Sequence, residues 1–411
     1  MKHTRRRKAK ATKKKAQIPD TPRQKETPGA GRRACWSDSD EPQSKFIMYD
    51  DDSGKVIDFK KDGPKYFESV LGDHRSVVSL VASADGGCVV CSGTVVDHED
   101  KQIWILTSAT LVRKPDTQFE AYKKEEIKIC WLQIEVVLHN GDTVEGSLEM
   151  CNLHYNIAIV AIEYRDSLGC LPAVQLWDLP LYYSLQPRPV IALGRNVNSK
   201  AMVSWGQLVR ENSELDCKEL MVCLCGISED FIGGPIMDSE NRFLGIVYSF
   251  EETAPFLPAD IAARCIQYHK KERALPWLRI RVQALHTLDL DVLETICSKF
   301  ARPPSGLVVD KICDTSTENY GGIEVGDIIS KLDGVALYSV AQFTAMFLDK
   351  FEVALDTSDA VTLQAVVDRP TDKTTFVAKL NVQQVASNER NKSFENRWME
   401  WKFYGFDKQF Y

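Results

Sequence analysis

From Ser76 the chain breaks into short apolar, β-branched runs: SVVSLVA, CVVCSGTVV, IWILTSATLV, IEVVLHN, IAIVAIE, PVIALG, ELMVCLCG and RFLGIVYSF. Turn residues separate them, as at Asp85-Gly86-Gly87, Asn140-Gly141-Asp142 and Asp238 to Asn241. Many short strands with few helical patterns predict an all-β barrel or sandwich running to about Phe250. The period then changes. Over Pro258 to Lys271, Ile261, Ala262, Cys265 and Ile266 recur at helical spacing before a basic end. A second unit opens near Trp277 with WLRIRV, and a short helix follows that places Val292, Leu293, Ile296 and Phe300 near one face. The strand GLVVDKI, a helix from about Ser339 to Leu348 and strands within residues 360 to 384 complete it.

The flanks differ from this body. Residues 1 to 45 are polar and dotted with proline, with too little apolar surface to offset the entropy of ordering, and they read as a disordered arm. Residues 386–411 form a charged tail rich in Trp, Phe and Tyr, a docking segment or a strip that packs on its own domains. The division is therefore an arm (1–45), a β domain (75–270), an α+β domain (275–385) and a tail (386–411).

Charge sharpens that division. Residues 1 to 33 carry thirteen Lys and Arg against Asp20 and Glu26, or +11. Because the whole chain of 411 residues carries -7, the remaining 378 residues carry -18. The Arg5 to Lys15 run fits a nuclear-localisation signal, a solvated tail, or a non-specific nucleic-acid contact whose strength would fall with salt. The start MKHTRRRKAKATKKKAQ has no apolar core of a secretory signal, and no apolar run approaches the ~18 residues that span a bilayer. The expectation is a nuclear or cytoplasmic protein without a membrane segment, its twelve cysteines mostly reduced. Cys88 and Cys91 form a CxxC and Cys223 and Cys225 a CxC, but neither has a partner set at metal-ligand spacing. They read as buried strand thiols, with no metal or cofactor expected.

Four stretches of the β domain resemble the HtrA or Do-like serine proteases, a family with a chymotrypsin-like double β-barrel. Cys91-Ser92-Gly93-Thr94-Val95-Val96 matches the family's GSGxVI-like strand. Ile105 to Val112 (ILTSATLV) matches the strand ending LTNAHVV, with Thr110 where the family has its general-base His. Asn156 to Ile162 (NIAIVAI) matches the DIALLKI-like strand, with Asn156 in place of the orienting Asp. Asp230 to Pro235 (DFIGGP) matches the GNSGGP loop, with Ile232 in place of the nucleophilic Ser and Asp230 in place of its first Gly.

The resemblance thus implies the scaffold without the triad. A serine attacks when a His takes its proton and a carboxylate orients that His. Thr110 is no base near neutral pH, Asn156 carries no charge and Ile232 offers no nucleophilic atom. The chain is expected to be a pseudoprotease that binds peptides or unfolded protein segments. One alternative is an active endopeptidase with a relocated nucleophile, Ser228 first, and His154 nearby in sequence. A second is a nuclear scaffold tethered to nucleic acid by the arm.

The α+β domain resembles the family's PDZ module. Trp277-Leu278-Arg279-Ile280 stands where the family has a YLGI-like carboxylate-binding loop, and Gly306 to Val309, Gly321 to Ile329 and Asp333-Gly334 match later motifs. PDZ modules add a peptide as a strand to a sheet edge. The resemblance therefore implies peptide binding by Trp277, Leu278, Arg279 and Ile280, with Arg279 replacing the usual Gly. It also implies a homotrimer through the region of Tyr66 and Phe67, although local packing explains those aromatics equally well.

Overall fold

A computed structural model describes residues 74–384, apart from 85–86, 115–131, 170, 177–187, 210, 212, 250–252, 279, 313–319, 358–361 and 382, together with Phe46–Met48 and Arg397. The basic arm, Tyr66 and Phe67, Arg279 and the rest of the tail lie outside the described residues.

Six antiparallel strands form the first barrel: β2 (Val77–Ala84), β3 (Gly87–Glu99), β4 (Gln102–Ser108), β5 (Gln133–Val137), β6 (Thr143–Asn152) and β7 (Ile157–Glu163). They close in the order β2-β3-β4-β7-β6-β5. Six more form a second closed ring: β8 (Arg188–Arg195), β9 (Ala201–Val209), β10 (Met221–Cys225), β11 (Pro235–Asp238), β12 (Phe243–Val247) and β13 (Ala254–Pro258). Its order is β8-β9-β10-β13-β12-β11, closed by the β11–β8 pairing, and a short β1 (Phe46–Met48) lies parallel to β9. The expected double barrel is therefore present. Closure removes the sheet edges that would otherwise be open to other chains.

The apolar runs explain how the barrels meet. In β7, Ala158, Val160 and Ile162 face the interior of the first barrel, while Ile157, Ile159 and Ala161 face a core shared with the second barrel. With both faces buried, alternation disappears and the run IAIVAIE results. Cys223 and Cys225 lie on the inward face of β10. Cys88 is half-buried and Cys91 fully buried on β3, so they project to opposite faces and neither pair forms a disulfide.

Helix α1 (Ala259–Lys270) leaves the second barrel and joins three bodies. At its C-terminal end, Lys270 meets Asp97 at 2.6 Å and Glu99 at 3.1 Å and lies over the Trp104 ring of the first barrel. Earlier along it, Arg264 makes a two-pronged contact to Asp349, and Tyr268 Oη donates to the Leu348 carbonyl at 2.8 Å. Both partners belong to α3 of the second domain (Val340–Thr357), which runs nine residues past the end expected at Leu348. The extension carries Asp349, Phe351 and Glu352, and these face α1 or the shared core.

The second domain is a sheet ordered β15 (Ile280–Ala284), β16 (Leu307–Ile312), β17 (Ile328–Leu332), β19 (Thr362–Arg369) and β20 (Thr374–Asn381), with β18 (Val335–Ala336) on β17. A two-residue strand, β14 (Pro276–Trp277), pairs with β21 (Gln383–Gln384). Helix α2 (Leu290–Cys297) departs from expectation, because Val292 is exposed and only Leu293 and Ile296, with Phe300 beyond the helix, pack on Leu285, Val308 and Ile328. Val292 lies at the margin of the stripe formed by Leu293 and Ile296, and the helix ends at Cys297, before Phe300.

The barrels are stitched by Arg195, at the end of β8 and 1% exposed. Its guanidinium donates to the carbonyls of Val77, Ser199 (2.6 Å) and His74 (2.7 Å). Burial pulls its pKa down to about 10, so it remains charged at neutral pH. Arg195→Met keeps the length but leaves three carbonyls without these donors, and should lower unfolding free energy by about 3 kcal/mol. Urea denaturation checks this, and a change below about 0.5 kcal/mol would contradict the stitching role.

Candidate functional site

Two of the three expected site residues meet directly. Asn156 occupies the turn before β7 in the left-handed region (φ 51°), a conformation that Asn tolerates better than most residues. Its carbonyl accepts the Ala109 N–H at 3.0 Å, which draws the Ser108-Ala109-Thr110 turn over its side chain. Asn156 Nδ2 donates to Ser108 Oγ at 3.0 Å and to Thr110 Oγ1 at 3.1 Å, and the two hydroxyls lie 2.9 Å apart. Ser108 Oγ also accepts the Thr110 N–H, capping the short helical turn Ala109–Val112.

A fourth residue completes this cluster, and the sequence reading did not single it out. Arg113 Nη2 donates to Asn156 Oδ1 at 2.6 Å, and Thr110, Asn156 and Arg113 are all buried. That bond fixes the amide orientation, with oxygen toward Arg113 and nitrogen toward the hydroxyls. Burial, only partly offset by Tyr248, Cys151 and Cys91, holds the Arg113 pKa below its usual value. The available signal was a basic residue three positions after Thr110, where the turn brings it back over the strand end.

Ile232 is held apart from these polar groups. It is 2% exposed and belongs to the apolar cluster of Leu111, Ala109 and the first-barrel interior. Its N–H donates to the Glu229 carbonyl at 3.0 Å, closing a 3-10 turn over Glu229–Phe231, and its carbonyl accepts the Ser92 N–H at 2.8 Å. Ser92 Oγ donates to the Asp230 carbonyl at 2.6 Å and accepts the Arg195 N–H at 2.9 Å. The following glycines allow the close approach. At Gly233 (φ +82°) a Cβ would stand 2.4 Å from the Ser92 carbonyl oxygen, and at Gly234 2.2 Å from that of Leu193.

The amides of this loop are therefore directed inward. An oxyanion hole needs N–H groups aimed at an empty position where charge develops. Here the Ile232, Gly233 and Gly234 N–H groups go to the carbonyls of Glu229, Val247 and Phe231.

The relocated-nucleophile candidates do not converge. Ser228 Oγ is buried and meets no hydrogen-bond partner among the described residues, so no described imidazole is within reach of it. His154 instead lines a cavity with Tyr155, Asp216 and Arg397. Burial pushes the Cys91 and Cys151 thiols up to about 12 despite the nearby Arg113 charge, which keeps both protonated. Among the described residues no cluster of His, Cys, Asp and Glu is arranged to hold a metal ion.

Of the expected peptide-binding residues, Leu278 and Ile280 are buried beside that same cavity, which runs between β15 and α3. Strand β15 is the edge of its sheet. Its Arg281 reaches Asp310 at 2.8 Å on β16 and Asp216 at 3.1 Å on the second barrel. The groove thus faces the barrel rather than open solvent.

Residues 91–246 match the trypsin-like peptidase domain. The chain is 24% identical over 264 residues to the Do-like 14 protein of Arabidopsis thaliana, covering 60% of this chain and 57% of that one. It is 26% identical over 245 residues to human serine protease HTRA3, covering 54% and 51%. The chain therefore spans between half and three-fifths of the length of these curated relatives. A solved structure of the HtrA-type protease AlgW with a tripeptide shares the fold, with a TM-score of 0.50 and 17% identity over 79% of this chain and 98% of that one. Over these residues the chain is similar to HtrA/Do-like serine proteases.

Asn156→Asp tests the electrostatics of the cluster. Arg113 and the Ser108 and Thr110 hydroxyls would all favour the ionised carboxylate and depress its folded pKa below the unfolded value of about 3.9. A depressed carboxylate contributes stability above the unfolded pKa and loses it as pH falls through the folded one. The variant should gain about 1 kcal/mol at pH 7 and nothing at pH 2. Chemical denaturation at both pH values checks this, and an equal change at both would refute the assignment.

Proposed function

We propose that this chain is a non-catalytic HtrA-like homologue that works as a peptide- or protein-binding scaffold, with the second domain acting as a PDZ-like module. The observation that carries the reading is Ile232, an apolar side chain buried at the nucleophile position with its N–H already donated to Glu229. The rest of the cluster supports it: by motif resemblance Thr110 and Asn156 stand at the positions of base and orienter, neither can act as a base near neutral pH, and Arg113 donates a hydrogen bond from a charged guanidinium to Asn156 Oδ1.

Peptide binding is supported by the groove between the edge strand β15 and α3, the arrangement that accepts an added strand in PDZ modules. The tripeptide of the AlgW structure is a ligand of the kind such a fold accommodates. Trp277, Leu278, Arg279 and Ile280 are the residues proposed to position the ligand backbone. Nuclear location and nucleic-acid contact through residues 1–33 stand as separate proposals resting on the arm's +11 charge.

Purified protein incubated with unfolded casein and with a serine-directed fluorophosphonate should show neither cleavage nor stoichiometric labelling. Cleavage that co-purifies with the chain and disappears in Ser228→Ala would instead establish a relocated nucleophile.

A further inference from the structure

Segments from both barrels converge on one imidazole at the seam. His139 sits in the turn between β5 and β6, which is held by the Leu138 N–H on the Asp142 carbonyl at 2.8 Å and by Asn140 Nδ2 on Asp142 Oδ2 at 2.6 Å. At the tip of that turn Gly141 approaches the β8–β9 loop of the second barrel, where a Cβ on it would stand 3.6 Å from Ser199 Oγ. The His74 ring, from the short 3-10 turn that leads into β2, meets the His139 ring at right angles with centroids 6.3 Å apart. His139 Nδ1 is buried and has no hydrogen-bond partner among the described residues.

The Arg195 stitch is anchored in the same segments. Its guanidinium donates to the carbonyls of His74 at 2.7 Å and Ser199 at 2.6 Å, so His139 lies beside the stitch without being part of it. The charged and titratable groups that face the imidazole are Arg195 from β8, His74 and Arg75 from the 3-10 turn, and Asp142 from its own turn. Burial and the Arg195, His74 and Arg75 charges hold the His139 pKa below its ordinary value, and only Asp142 opposes them.

A neutral imidazole fits this environment, whereas an imidazolium sets a second positive charge against an arginine that is 1% exposed. Arg195 cannot relieve the repulsion by giving up its own proton, because its pKa stays at about 10. Separation of the two groups is the remaining relief, and it pulls the β5–β6 turn away from the loop that carries Ser199.

We propose that His139 is a proton-operated lock on the seam between the two barrels: uncharged, it leaves Arg195 seated on the His74 and Ser199 carbonyls, and charged, it opens the seam while the strands of each barrel stay paired. In the closed seam the imidazole takes a proton less readily than in the unfolded chain, where its pKa is about 6.5, so open forms bind more protons. The closed seam is therefore fully favoured above about pH 6.5, and it loses stability as pH falls through that value to the lower pKa of the closed form. Below that point nothing more is lost. Histidine protonation can bias a packed interface between two states in this way. The lock depends neither on the lost triad positions nor on the peptide-binding reading.

The test uses the full-length chain. An NMR titration of the His139 ring should give a midpoint below about 6.5. Backbone hydrogen exchange is then measured at about pH 7.5 and about pH 5, with each rate expressed as protection against the unfolded-chain rate at the same pH. The reporters are the Arg195 and Ser92 N–H groups, which cross the seam to Ser92 Oγ and the Ile232 carbonyl. They should lose about threefold or more of their protection at the lower pH while the amides of β7 keep theirs. In His139→Gln, a change at a half-exposed turn position that leaves a polar side chain unable to take a proton, the loss should vanish. The wild-type measurements stand without the variant. A midpoint at or above about 6.5, full protection of the seam amides at the lower pH, a loss shared equally by β7, or the same loss in His139→Gln would each overturn the proposal.

Discussion

Ser92 holds the Asp230-Phe231-Ile232-Gly233-Gly234 loop against the seam between the two barrels. Its N–H, hydroxyl and carbonyl bind, respectively, the Ile232 carbonyl, the Asp230 carbonyl together with the Arg195 N–H, and the Thr107 hydroxyl. Three segments, the 230–232 loop, the end of β8 and the end of β4, therefore converge on one small residue of β3. Gly233 and Gly234 permit the approach, since a Cβ on either would collide with a backbone carbonyl. With the loop fixed in this way, the Ile232 side chain has one place to go, the first-barrel interior, where its burial contributes about 1.5 to 3 kcal/mol. The Ile232 side chain of this loop thereby packs into the core of the first barrel.

The polar half of the site follows the same logic. Asn156, Thr110, Ser108 and Arg113 satisfy one another in a buried network, the condition under which polar groups can be retained away from water. An Asn in a left-handed turn accepts a guanidinium with one atom and donates to two hydroxyls with the other. This geometry accounts for both the burial and the local backbone without any call on catalysis.

Much of this was legible in the chain. Short β-branched runs and their turns marked the strands, and the run NIAIVAI marked one buried on both faces. Thr110 and Asn156, singled out from their motifs, lie together because they flank the paired strands β4 and β7. Three things were not legible. Arg113 reaches the site only because the Ala109–Val112 turn folds it back, a matter of backbone geometry rather than residue pattern. Helix α3 runs on past Leu348 because Asp349, Phe351 and Glu352 find partners on α1 or in the shared core, so tertiary contacts set its end. Arg397 was one cation among the charges of the tail, and nothing local distinguishes it from Lys392 or Lys402. Its burial depends on the distant Tyr155, Glu219 and Tyr248.

The scaffold reading depends most on where the Ile232 amide points. Backbone hydrogen exchange of the native chain, resolved to the 229–234 loop, measures this directly. If the amide is donated to Glu229 within a packed loop, Ile232 should exchange as slowly as amides of the neighbouring strands β3 and β12. Exchange at the rate of an open surface loop would mean that the amide is free to meet an oxyanion, and would contradict the account.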